Sequence, residues 1–174
     1  MASSLIKITE TTVSSAVASI TITGIDSTYD VYMLAYNNVL PDVNNVYLSL
    51  RVTESGTANS TSNYTAGYRN IRADSSFSNS NYQNISFIYL NNTFVGTGTS
   101  ESANGVKYIF NANNSSEYTF FTNEIVIQSP YTATVWGNQG GEVFTSNSSV
   151  DGLHFFFHSG NITSGTFSLY GLKK

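Results

Sequence analysis

The chain has 174 residues, a formal net charge of −4 and an isoelectric point near 4.9; 40% of it is hydrophobic, 14% aromatic and only 10% charged. The charged share is far below the roughly 25% of an ordinary soluble domain, and 20 Asn, 26 Ser and 20 Thr supply the polar surface instead. Such figures argue against a disordered chain, which lacks apolar matter, and against a nucleic-acid binder, because the seven Lys and Arg form no basic stripe. With no cysteine, disulfides, thiolate zinc sites and cysteine nucleophiles are excluded together. No run approaches the 18 or so apolar residues of a membrane span. The opening residues lack a positive segment followed by an apolar one, so no signal peptide is expected.

In chain order, Ile20 and Ile22 alternate with Thr21 and Thr23, a period of two. Residues 31–39 are apolar on both faces. Val46, Leu48, Leu50 and Val52 alternate with Tyr47, Ser49, Arg51 and Thr53, which predicts a strand with one wet face. The alternation lapses over Tyr64–Arg72, where at most a short turn of helix is expected. Residues 85–90 and 118–127 are again apolar on both faces, predicting strands covered by a second sheet or by a neighbouring subunit. Leu153, Phe155 and Phe157 alternate with His154, Phe156 and His158, and Phe167 and Leu169 alternate with Thr166 and Ser168. Turn chemistry such as Gly24-Ile-Asp-Ser, Leu40-Pro-Asp, Asn104-Gly and Gly140-Gly separates these runs. Residues 55–63, 74–81 and 91–105 read as loops, and long loops carry contacts or function. With no internal repeat or linker, the expectation is one all-β domain over residues 1–174. It should be an antiparallel, jelly-roll-like sandwich of about eight to ten strands.

Little in the chain suggests catalysis. His154 and His158 lie four apart on one strand, which separates their Cα atoms by roughly 13 Å, too far to hold one metal ion together. They read as outward polar residues opposite a Phe/Leu core face. The eleven carboxylates form no dense cluster, and Asp26 near Asp30 fits a turn whose side chain bonds backbone amides. There is no nucleophile elbow, phosphate-cradling loop or calcium-loop pattern. No cofactor or metal is expected, and the chain reads as a non-enzyme.

Aromatic residues are the remaining resource. Tyr64, Tyr68, Tyr82, Tyr131 and Trp136 lie in or beside expected loops, where rings could stack on sugars, although aromatics in a sandwich mostly pack cores and interfaces. Eight Asn-x-Ser/Thr sequons read as a product of composition. A weakly charged all-β surface invites sheet pairing, and the doubly apolar runs favour a chain that buries surface against copies of itself or a lattice.

The two ends carry a resemblance. The opening Ser4-Leu-Ile-Lys-Ile-Thr-Glu-Thr-Thr-Val-Ser-Ser-Ala is followed by Ala18-Ser-Ile-Thr-Ile-Thr-Gly-Ile and Tyr29-Asp-Val-Tyr. The close is Gly160-Asn-Ile-Thr-Ser-Gly-Thr-Phe-Ser-Leu-Tyr-Gly-Leu. Together they resemble a group of tailed-phage virion proteins, common in marine and cyanobacterial phages, that end in a Ser-Gly-Thr-Phe-x-Leu-Tyr-Gly motif. The likeness covers about the first 55 and last 25 residues. It implies a structural role in the virion, as a capsid decoration or head-fibre protein, with a tail-fibre or baseplate component as the alternative. A receptor module that binds host-surface glycan is the rival from another class. The implied partners are copies of the chain itself, for example in a trimer, and the major capsid protein, with neither nucleic acid nor membrane insertion. The implied location is the virion, assembled in the host cytoplasm and released by lysis. Within the motif, Gly165 should supply a turn, Phe167 and Leu169 should point into the core, and Gly171 should end the strand. The resemblance carries over no catalytic or binding residue.

Overall fold

The computed structural model describes residues 4–74 and 77–173. Alternation sets the architecture: among the described residues there are thirteen strands and one short 3-10 turn over Thr99–Glu101. The strands are β1 (Leu5–Val13), β2 (Ser19–Thr23), β3 (Val31–Pro41), β4 (Leu48–Glu54), β5 (Thr57–Ala58), β6 (Tyr64–Arg72) and β7 (Ser78–Ile85). There follow β8 (Ile88–Tyr89), β9 (Ala103–Phe110), β10 (Thr119–Gln128), β11 (Val135–Phe144), β12 (Gly152–Phe157) and β13 (Ile162–Leu172). All pairings are antiparallel. They build an eight-stranded sheet in the order β1-β13-β3-β9-β10-β11-β6-β7 and a smaller sheet β2-β12-β4-β5, with β8 also paired to β4.

The core lies between the two sheets. Leu48, Leu50 and Val52 of β4, Leu153 and Phe155 of β12 and Ile22 of β2 meet Tyr32 and Leu34 of β3, Ile109 of β9 and Phe167 and Leu169 of β13, all of them buried. Phe155 and Phe167 pack with ring centroids 4.8 Å apart. The all-β expectation holds, with two sheets of unequal width and more strands than the eight to ten expected. Two extra strands, β5 and β8, are two-residue pairings too short for periodicity to reveal.

Tyr64–Arg72 is a strand, not a helical turn. Tyr64, Ala66, Tyr68 and Asn70 face inward in strict alternation, and the pattern was obscured because one inward residue is polar and Gly67 faces outward. Residues 74–81 are likewise not all loop, since β7 begins at Ser78; Ser75 and Ser76 lie outside the described residues. Gly165 sits within β13 rather than at a turn. Its φ of 138°, resisted by other residues, lets the strand pass close to Val39 where the β13–β3 register shifts. Strand β13 runs on past Gly171 to Leu172 and pairs with β1 from Gly165 to Leu172.

Small-sheet strands cover only part of the large sheet. Over the inner faces of β6, β10 and β11 run residues 86–102, mostly irregular chain apart from β8 and the 3-10 turn, and their buried backbone needs hydrogen-bond partners that water cannot supply. Side chains provide them. Tyr36 donates to Leu90 O at 3.1 Å, Tyr68 to Tyr89 O at 3.2 Å, and Asn91 Nδ2 to Thr93 O at 2.8 Å. The predicted loop over 91–105 is therefore a packed strap, with Asn91 1% and Val95 0% exposed, and its last part belongs to β9.

Candidate functional site

Of the five aromatic residues read as candidate sugar contacts, Tyr131 is freely exposed, and Trp136, near it in the chain, is partly buried against the core. Tyr64 is fully buried against Phe144, its hydroxyl donating to Asn59 O at 2.9 Å. Tyr68 is buried too and ties down the strap. These two are core residues, because both face inward on a strand that the sequence did not reveal. Tyr82 is partly exposed, and its hydroxyl donates to Asn92 Oδ1 at 2.7 Å. Tyr131, 77% exposed, sits in the β10–β11 hairpin connection. Trp136 is the second residue of β11. Its indole N–H donates to Thr132 Oγ1 at 3.3 Å, and the Arg72 guanidinium lies 4.5 Å over its ring, an attraction between cation and π face.

Sequence reading missed two broader surfaces. The first is the outer face of the large sheet. Cross-strand register lines up Val31, Phe110, Phe120 and Val143 in one row over β3, β9, β10 and β11, with Tyr170, Met33 and Tyr108 in the next. Phe120 is 46% exposed and Val126 52%. Beside Phe110 and Phe120 lies a shallow trough of about 410 Å³, where Gly67 and Gly141 present no side chain. Few charges interrupt this face; Glu124 accepts a hydrogen bond from Gln139 there at 3.2 Å. The doubly apolar run over 118–127 thus has one face in the core and one face bare in the single chain: Thr119, Phe121, Asn123, Ile125 and Ile127 are buried while the residues between them are exposed.

The second surface is an aromatic layer on the outside of the small sheet. Tyr47, Phe87, Tyr89, Phe94 and Phe156 gather around His158, with centroids 4.6 to 5.9 Å apart for the pairs Tyr47–Phe94, Tyr47–Tyr89, Phe87–His158 and Phe156–His158. Arg51 lies 4.6 Å over Phe156. This layer also corrects the expectation of a wet face on β4, because Ser49 and Thr53 are buried. Ser49 Oγ lies 2.7 Å from His158 Nε2, and Thr21 Oγ1 lies 3.0 Å from His154 Nδ1. Both histidines face outward, opposite Leu153, Phe155 and Phe157, as expected. Burial first, and the Arg51 charge second, lower both imidazoles below their ordinary range, so both are neutral at pH 7.

The carboxylates hold local structure. Asp26 accepts from Thr28 N at 2.8 Å and Asp42 from Asn161 N at 2.7 Å, and these backbone bonds lower both acids. Asp74 pairs with Arg72, Glu10 bonds Ser168 and Lys7, and Asp151 bonds Gly56 N and Thr53. Among the described residues no group of three or more His, Asp and Glu is placed to hold a metal ion, and no helix is long and apolar enough to cross a membrane.

Polar side chains also line the interior, against expectation for Asn-rich sequence. Asn123 Nδ2 donates to Asn138 Oδ1 at 2.8 Å, and Asn138 Nδ2 to Asn70 Oδ1 at 2.8 Å, a ladder across β10, β11 and β6. From the strap, Asn92 Nδ2 donates to the same Asn70 oxygen at 3.1 Å. Phase was the available signal: Asn123 falls in step with Phe121 and Ile125, and Asn70 with Tyr68 and Ala66. No family model, curated protein or solved structure matches this chain.

Proposed function

We propose that the chain is a non-enzymatic structural protein of a tailed-phage virion, a capsid decoration or head-fibre protein that assembles with copies of itself on the particle surface. The observation that carries this reading is the bare outer face of the large sheet. A row of Val31, Phe110, Phe120 and Val143 sets apolar side chains next to one another on an outward face, the kind of surface that marks an interaction site, and a neighbouring copy or the capsid lattice would cover it. The motifs at the two chain ends supply the phage assignment. On a lattice, each bound copy would favour the assembled shell by mass action.

Native mass of the purified chain, alone and mixed with emptied capsids of its phage, tests the proposal. A stable oligomer that sediments with capsids is the expected result. A monomer that ignores both capsids and host cells overturns it. The second reading, a glycan-binding receptor module on a tail fibre or baseplate, rests on Tyr131, exposed and near Trp136 in the chain. It requires Trp136→Ala to reduce binding to host cells by about tenfold or more, as loss of a stacking ring at a hot spot does. Unchanged cell binding sinks that alternative.

A further inference from the structure

Lys107, Asn123 and Glu142 face the interior from three consecutive strands, β9, β10 and β11. Lys107 and Asn123 are directly opposed across the β9–β10 ladder, so their Cβ atoms lie about 4.5–5.5 Å apart. Glu142 sits on the next strand, opposite Phe121. The lysine stem therefore crosses β10 to reach the carboxylate, and its Nζ donates to both Glu142 oxygens at 2.7 Å. The Phe121 ring centre is 5.8 Å from Nζ. Both ends of the ion pair are 0% exposed.

Two features of this cluster are poorly explained by a stabilising salt bridge alone. Fully desolvating two charges removes most of what their attraction returns, and an apolar pair of similar volume would serve stability as well. Next to the pair, the Asn123 carbonyl oxygen is buried without a hydrogen-bond partner, while its amide nitrogen bonds Asn138. A stranded buried acceptor is uncommon. Here it belongs to a carboxamide directly opposite a buried amine, in a site shared with a carboxylate and faced by the Phe121 ring.

We propose that Lys107 and Asn123 join in an intramolecular isopeptide bond, with Glu142 as the proton carrier. Burial lowers the lysine below its ordinary range, and in the reaction its proton passes along the 2.7 Å contact to Glu142. The products are a free amine and a neutral carboxylic acid. That acid donates to the stranded Asn123 oxygen and polarises the carbonyl. Nζ attacks Cγ; the Nζ–Cγ bond forms, the Cγ–Nδ2 bond breaks, and Glu142 relays the amine's proton to the departing nitrogen. The departing nitrogen also takes the proton that Lys107 first gave to Glu142 and leaves as ammonium, so Glu142 returns to the carboxylate of the starting ion pair. Neither oxidant nor cofactor is consumed. Holding amine and amide in one dry site supplies the proximity and general acid–base help that the reaction lacks in water.

Intact mass of the purified, denatured protein tests this directly. The expected result is a chain lighter than its sequence by one ammonia, with a branched peptide joining the Lys107 and Asn123 segments after digestion. Glu142→Gln, and separately the double variant Lys107→Met with Glu142→Leu, are expected to restore the full sequence mass while keeping the β-sheet circular dichroism. Wild-type protein at its full sequence mass overturns the proposal. So does an ammonia loss that persists in the double variant or maps to the Asn104-Gly105 step, where a succinimide would give the same mass change.

Discussion

Replacing Phe120 with Thr separates association from folding. The Phe120 side chain stands on the outer face of β10, 46% exposed, opposite Phe110 on one side and Val143 on the other. A phenylalanine presents about 200 Å², so the bare part is about 90 Å², worth about 2 kcal/mol when covered. An interface over this face should therefore weaken roughly thirtyfold for each copy of the residue it hides. Within one chain the loss is confined to cross-strand contacts on a solvated face, about 1 kcal/mol, and threonine retains strand preference. Sedimentation equilibrium gives the first quantity and urea unfolding the second. Self-association unchanged within twofold, or a stability loss above about 3 kcal/mol, would refute the assignment of this face as the covered one.

Other consequences follow from the interior and the small sheet. Asn70→Leu removes the oxygen to which the buried Asn138 and Asn92 amides both donate and should cost about 1–3 kcal/mol in urea unfolding; equal or greater stability would show that the ladder is dispensable. The two histidines are held below their ordinary range in the folded chain, so the unfolded chain takes up protons first as pH falls below about 6.5. Stability should decline from there and level off once the folded imidazoles also protonate, and a His154→Gln, His158→Gln double variant should lose that slope in thermal melts. A separate decline is expected below about pH 4, where Asp26 and Asp42, lowered by bonds from Thr28 N and Asn161 N, lose the stabilisation they supply above it.

Where one face of a strand is dry and apolar, its residues announce it, and β4, β12 and β13 were legible for that reason. The polar inward positions beneath the strap were not. There the covering layer is irregular chain rather than a sheet, so its backbone needs polar partners, and the inward positions became Asn70, Asn123, Asn138, Lys107 and Glu142. A reader of composition assigns such residues to the surface. Tyr64 and Tyr68 misled in the same way, because their neighbours Asn63 and Gly67 suggest a loop although every second side chain enters the core. The aromatic layer around His158 draws on β4, β8, β12 and the strap, and no local pattern in the chain records that convergence.

Antiparallel pairing of β1 with β13 leaves the backbone at residue 173 donating to the carbonyl of Ser4 at 2.9 Å. The two ends of the described chain thus leave from one corner of the large sheet. A linker of a few residues would close the polypeptide into a ring without bending either strand. New ends could then open at the exposed Ser55-Gly56 turn on the small sheet. A permuted chain of that kind would carry cargo fused at the turn, leaving the apolar face free for its neighbours.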